Sequence, residues 1–188
     1  MSYIGTTEIG KIFLGDVEID KAYLGNDLVF SGAPYVPTQY TVTFNPSSNN
    51  SSGTVSNPAK GYDGETTTNY AQLAVSKTKG ATSYIYFNFN TSSIPANATI
   101  DSVQCKAKAF VSVSTSITPS IQMFSNTTGK GSAQTLTTTA TTFTFSGETW
   151  SRSELSNARV RVQATRNSGS TTSYLRFYGA TLTVTYSV

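Results

Sequence analysis

The chain opens with a ten-residue repeat, which restricts what its first part can fold into. Tyr3-Ile4-Gly5, Phe13-Leu14-Gly15 and Tyr23-Leu24-Gly25 recur at a spacing of ten. Each glycine is followed four positions later by a β-branched residue, Ile9, Ile19 or Val29, and Lys11 and Lys21 hold equivalent places. Each unit reads as strand, tight turn, strand. Gly15-Asp16 and Gly25-Asn26 have the composition of two-residue hairpin turns, where glycine supplies a positive φ. Ile12 and Leu14 fall on one side of a strand, with Lys11 and Phe13 on the other, so both faces carry apolar groups. Below about 40 residues a fold usually needs staples or partners. Residues 1–32 therefore read as a docking module that completes its core against copies of itself or another protein.

Phe13-Leu14-Gly15-Asp16 and the run Tyr23-Leu24-Gly25-Asn26-Asp27-Leu28-Val29-Phe30 resemble the YLGD-type segment of tailed-bacteriophage virion proteins. That segment occurs in head fibres, capsid decoration proteins and small tail or baseplate proteins. The resemblance is strong only over the start of the chain, and Asn26 and Phe30 stand where Asp and Tyr are commoner. It implies a structural protein on the virion surface, a head fibre or capsid decoration protein first and a tail or baseplate component next. It also implies a homotrimer with other virion proteins as partners. Phe13, Leu14, Ile19, Tyr23, Leu24 and Val29 would form the anchoring and oligomerisation contacts.

Gly32-Ala33-Pro34-Tyr35-Val36-Pro37 interrupts the pattern, and residues 33–39 read as a stiff linker. From Tyr40 the sequence alternates as strands do. Val103, Cys105, Ala107, Ala109, Val111 and Val113 share one face of the clearest strand, Ser102 to Ser114. Further strands are expected at 40–44, 70–75, 84–90, 120–124, 135–145, 159–165, 174–177 and 182–186. Loops are expected at 47–56, 61–65 and 129–131. Ser151-Arg152-Ser153-Glu154 is a capping box, with Trp150 and Leu155 at the staple positions, and predicts one short helix. The fold class is all-β: an N-terminal hairpin repeat followed, over residues 40–188, by an antiparallel jelly-roll-like β-sandwich.

Only 12% of the 188 residues are charged, against a typical share near 25%. The net charge of +3 is small and its bearers are scattered, so no nucleic-acid footprint is expected. No apolar run approaches eighteen residues, so no membrane span is expected, and Met1-Ser2-Tyr3 enters the repeat without the pattern of an export signal. The single cysteine, Cys105, excludes an internal disulfide. The chain has no histidine, which removes the commonest general base and metal ligand. No enzyme and no cofactor are expected. Asp63 and Glu65 flank Gly64 as in Ca²⁺-binding turns, although Asp and Gly also hold their ordinary turn positions there.

Carbohydrate recognition is the alternative function, as an adhesion module for host-surface glycans. Sugar sites present aromatic faces beside amides and hydroxyls. The candidates are Tyr62, Tyr70, Trp150, Tyr174 and Tyr178, and Tyr62, in a glycine-flanked loop, is the foremost for glycan contact. Trp150 also fits the helix staple, and Tyr84 and Tyr86 alternate with Ile85 and Phe87 so that one pair is core.

Overall fold

The computed structural model describes residues 2–4, 7–9, 12–14, 17–19, 21–24, 27–31, 37–66 and 68–188, with side chains in the first six strands described only at Ile19 and Lys21. The chain divides into two compact units, Met1–Thr38 and Gln39–Val188.

The first unit holds three separate two-stranded antiparallel sheets: β1 (Ser2–Ile4) with β2 (Thr7–Ile9), β3 (Ile12–Leu14) with β4 (Val17–Ile19), and β5 (Lys21–Leu24) with β6 (Asp27–Ser31). Register pairs Ile4 with Thr7, Leu14 with Val17 and Leu24 with Asp27, which leaves two residues between the strands of every pair. The turns Gly15-Asp16 and Gly25-Asn26 themselves, and linker residues 33–36, lie outside the described residues.

The second unit is an antiparallel, jelly-roll-like β-sandwich. Its strands are β7 (Gln39–Phe44), β8 (Pro46–Ser51), β9 (Val55–Ser56), β10 (Ala71–Ala74), β11 (Thr82–Phe89), β12 (Thr99–Val111), β13 (Ile117–Ser125), β14 (Thr128–Thr135), β15 (Thr141–Phe145), β16 (Ala158–Arg166) and β17 (Tyr174–Ser187). The first sheet runs β15-β12-β17-β10-β9, with β7 also paired to β17, and the second runs β14-β13-β16-β11-β8.

Several boundaries differ from the sequence reading for local physical reasons. The polar stretch after Phe44 is two strands, not a loop. β8 has no apolar alternation because it is an edge strand held through polar groups: Asn88 Nδ2 donates to Ser48 Oγ at 3.1 Å. Gly129-Lys130-Gly131 lies within β14, not in a loop. Gly129 makes room for the Gln122 amide, which donates to the Gly131 carbonyl at 2.7 Å, and Gly131 itself adopts φ 77. The hairpin turn falls earlier, at Asn126, which adopts φ 51, a left-handed conformation that asparagine tolerates. The stretches 174–177 and 182–186 belong to one long strand, because β17 continues through a register shift rather than ending.

The core lies between the sheets. Phe87 of β11 and Phe177 of β17 are both fully buried and stack across the interface, centroids 4.0 Å apart and planes 13° from parallel. Val103, Cys105, Ala107, Ala109 and Val111 are the inward set of β12, while Ser102, Gln104 and Lys106 are exposed on its other side. The small side chains of Ala107, Ala109, Ala164 and Ala180, all completely buried, let the two sheets approach closely. Burial pushes the Cys105 thiol well above its ordinary value, with the charge of Glu65 adding to it, so this cysteine is a small core hydrophobe.

The short helix α1 (Arg152–Leu155) forms at its capping box. Glu154 N–H donates to Ser151 Oγ at 3.2 Å, and Ser151 N–H donates back to Glu154 Oε2 at 2.8 Å. Trp150 is 7% exposed and Leu155 fully buried, so both staple positions belong to the core. Lys130 Nζ holds this corner, 2.6 Å from Glu154 Oε1, 3.0 Å from the Thr149 carbonyl and 5.0 Å from the Trp150 ring centroid.

Two predictions follow from this packing. Phe177→Ala removes one partner of the central stack and should cost about 3–5 kcal/mol in a urea melt, a large share of the roughly 5–15 kcal/mol of an ordinary domain. An unchanged midpoint would show that the stack does not hold the sheets. Second, the hydrogen bond from Lys130, followed by that from the Ser151 backbone, lowers Glu154 from 4.5 to about 2. Its folded value is depressed, so its stabilisation is complete above the unfolded value and is lost as pH falls from 4.5 towards 2. Glu154→Gln should therefore melt below wild type near neutral pH, with the gap closing across that acid window. A gap that stays constant with pH would exclude the ionised carboxylate as the cause.

Candidate functional site

The outward face of the first sheet gathers side chains from three strands. β12 contributes Lys108 and Phe110, β17 contributes Tyr174, Arg176 and Tyr178, and Tyr70 and Gln72 come from β10 and the residue preceding it. All are half-buried. Register brings them together: Phe110 pairs with Arg176, and Arg176 with Gln72.

A register shift gives this face its shape. Lys108 pairs with Gly179 and Ala109 with Phe177, so Tyr178 is an extra residue without a partner on β12. Such a bulge bends the strand and re-aims a side chain. Here the ring of Tyr178 joins the outward cluster, while Phe177 and Ala180 on either side remain in the core. Gly179 is required at this point because a Cβ there would overlap the backbone of Asp63 and Gly64.

The rings form one connected surface. Phe110 and Tyr178 lie 5.7 Å apart with planes 25° from parallel. Tyr70 meets both edge-on, at 5.9 Å from Phe110 and 5.5 Å from Tyr178. Arg176 lies 4.9 Å from the Tyr70 centroid, 5.2 Å from Phe110 and 5.9 Å from Tyr174, and its Nε donates to Gln72 Oε1 at 2.8 Å. Lys108 Nζ sits 4.6 Å from the Tyr178 centroid. Rings, cations and one amide on a single sheet face can stack on a flat apolar surface while donating hydrogen bonds around it.

The sequence candidates are distributed unevenly. Tyr70, Tyr174 and Tyr178 converge on this face. Phe110 joins them, although the sequence offers no signal for it beyond the alternation of β12. Tyr62 does not stand free. Its ring is half-buried edge-on against Phe87, at 6.4 Å, and its hydroxyl donates to Asn49 Oδ1 at 2.7 Å. Trp150 belongs to the core beside α1. Asp63 and Glu65 dock on β17: the Asp63 carbonyl accepts from Ala180 N–H at 3.2 Å, and the Glu65 carboxylate accepts from the Thr181 hydroxyl. No group of three or more His, Cys, Asp or Glu side chains able to hold a metal converges among the described residues. Phe13, Leu14, Tyr23, Leu24 and Val29 lie on β3, β5 and β6, but their side chains are outside the described set, while Ile19 on β4 is half-buried.

No family model and no curated protein matches the chain. Among solved structures it is similar to a xylan-binding module, CBM15, at 16% identity over 79% of this chain and 97% of that one, with a TM-score of 0.39. It is similar to the CBM22-1 xylan-binding domain from Paenibacillus barcinonensis at 9% identity, over 71% of this chain and 83% of that one, TM-score 0.38. A family 35 carbohydrate binding module from Clostridium thermocellum is similar at 10% identity, over 79% of this chain and 98% of that one, TM-score 0.32.

Proposed function

We propose that the β-sandwich is a carbohydrate-binding module, without catalytic activity, that recognises glycan chains on the outward face of its first sheet. The observation carrying this reading is the connected surface of Tyr70, Phe110, Tyr174 and Tyr178. An aromatic patch left on an outer sheet face is not used to close the core between the sheets, and such patches mark contact surfaces. Sugar rings present C–H groups that stack on aromatic faces and hydroxyls that accept from Arg176 and Lys108. An exposed cation–π contact is worth about 0.5–1 kcal/mol, so the cations can shift aside at small cost when a sugar takes the ring face. A flat sheet face suits an extended chain rather than a single enclosed residue.

The test is retention of the protein in gels cast with soluble polysaccharides, supported by a glycan array. A Tyr70→Ala/Tyr178→Ala double variant should bind at least tenfold more weakly than wild type and still melt cooperatively. Equal retention by the two proteins would remove this face from the function.

The N-terminal repeat supports a setting for that activity. Three hairpins at ten-residue intervals, each a two-stranded sheet of its own, favour a module that completes its packing between subunits. The chain would then be a virion appendage, most simply a head fibre or capsid decoration protein, with the repeat as the trimerising anchor and the sandwich as the adhesive part. Removing residues 1–32 should convert an oligomer into a folded monomer in light scattering. A truncated protein that keeps the full-length oligomeric state would move assembly into the sandwich.

A further inference from the structure

The second sheet also has an outward aromatic face, and its chemistry differs from the first. Tyr84 and Tyr86 of β11 stand beside Arg159 and Arg161 of β16, with Phe124 of β13, buried beneath Arg161, completing the row. Tyr84 and Tyr86 lie 5.4 Å apart, and Tyr86 meets Phe124 edge-on at 6.1 Å. Arg159 sits 4.1 Å from the Tyr86 centroid, and Arg161 sits 4.1 Å from that of Phe124. Arg161 Nη1 donates to the Tyr86 hydroxyl at 3.2 Å, and Arg159 Nε donates to the Asn126 carbonyl at 2.6 Å. Arg159 is thus held by one ring and two Asn126 oxygens, the carbonyl and Oδ1, and Arg161 by two rings and the Tyr86 hydroxyl.

Neither guanidinium has a carboxylate partner among the described residues. The ion pair of the sandwich, among the described residues, is Lys130 with Glu154, on a different corner. Arg161 Nε is buried with no hydrogen-bond partner. Beside Arg159 opens a pocket of about 180 Å³ lined by Asn88, Phe89, Asn126, Ser156, Asn157 and Ala158. At a share of about 30 Å³ per water, it has room for about six waters, or for the substituents of one sugar residue. Two positioned guanidinium groups with spare donors, unpaired with any acid among the described residues, are complementary to a carboxylate, which arginine binds bidentately. Adjacent tyrosine rings and amide groups suit the rest of a pyranose.

We propose that this face is a second saccharide site, selective for sugars bearing a carboxylate, such as uronic acids. The carboxylate lies on Arg159 and Arg161, which Tyr86 and Phe124 hold in place, the sugar ring on Tyr84, and neighbouring hydroxyls against the amides of the pocket.

Calorimetric titration with oligogalacturonate, alginate fragments and sialyllactose, each beside its methyl-esterified form, tests this. At least one carboxylated probe should bind at least tenfold more tightly than its ester, with affinity falling as salt rises. Arg159→Gln and Arg161→Gln should each lose that preference, Arg159→Lys should restore only part of it, and Tyr178→Ala should leave it unchanged. Arg159 is held by the exposed turn at Asn126 and the outward ring of Tyr86, and not by the core between the sheets, so its variants report even if Arg161→Gln unfolds. Equal affinity for acid and ester, or no measurable binding of any probe at millimolar concentration, would overturn the proposal. So would loss of binding in Tyr178→Ala, which would place the acidic sugar on the first face; failure of the first face alone leaves this arm intact.

Discussion

The sandwich depends on how the edges of β17 are shared. One edge pairs with β12 along nearly its whole length, from Ser187 opposite Thr99 to Leu175 opposite Val111. The other edge has two partners, β10 over Tyr174–Phe177 and β7 over Leu182–Ser187. Between them the strand would expose unpaired backbone groups in the middle of a sheet, which is costly when buried. The Asp63-Gly64 backbone fills that gap and accepts from Ala180 N–H at 3.2 Å. This close approach is possible only because position 179 has no side chain. Glu65 then fastens the same loop to Thr181. The residues that resemble a cation turn in the sequence are thus a plug in the sheet.

The same irregularity produces the outward aromatic cluster. A regular β17 would alternate strictly and send Tyr178 and Ala180 to one side. The extra residue lets Phe177 and Ala180 both face the core while Tyr178 emerges beside Phe110. Phe177 carries the central stack on Phe87, so the bulge links the tightest contact in the core to the aromatic cluster on the outside within one residue. A change at Gly179 would therefore disturb both the plug and the rings.

Much of this was legible in the sequence where one face of an element is buried and the other wet. The inward set of β12, the capping box before Glu154 and the all-β class all follow from alternation and cap chemistry. The sequence misleads wherever polar pairing replaces apolar alternation. β8 is Pro-Ser-Ser-Asn-Asn-Ser and reads as a loop because its bonds run to Asn88 and Tyr62 rather than into the core. β14 carries Gly129 for the sake of Gln122, a contact that no local pattern announces. The first aromatic face was half visible: Tyr70, Tyr174 and Tyr178 were identifiable as aromatics, but only the register of three strands shows that they meet, and that Tyr62 does not join them.

The scarcity of charge gives the two outer faces their meaning. Much of the sandwich surface is covered by hydroxyls, as in the cross-strand pairs Thr41 with Thr185 at 3.2 Å and Thr82 with Thr165 at 2.8 Å. Against that neutral background Lys108, Arg159, Arg161 and Arg176 are set on aromatic rings rather than paired with acids. Long basic side chains in water carry about 2 kcal/mol of rotamer entropy each. A ring that already holds the chain in place removes part of that cost before any ligand arrives, and it does so without consuming the donors, as a carboxylate would. The outcome is a surface pre-organised for a partner that supplies both ring faces and acceptors. On the proposed reading that partner is a glycan, and one bearing a carboxylate would match the paired guanidinium groups of the second sheet more closely than the single guanidinium and ammonium of the first.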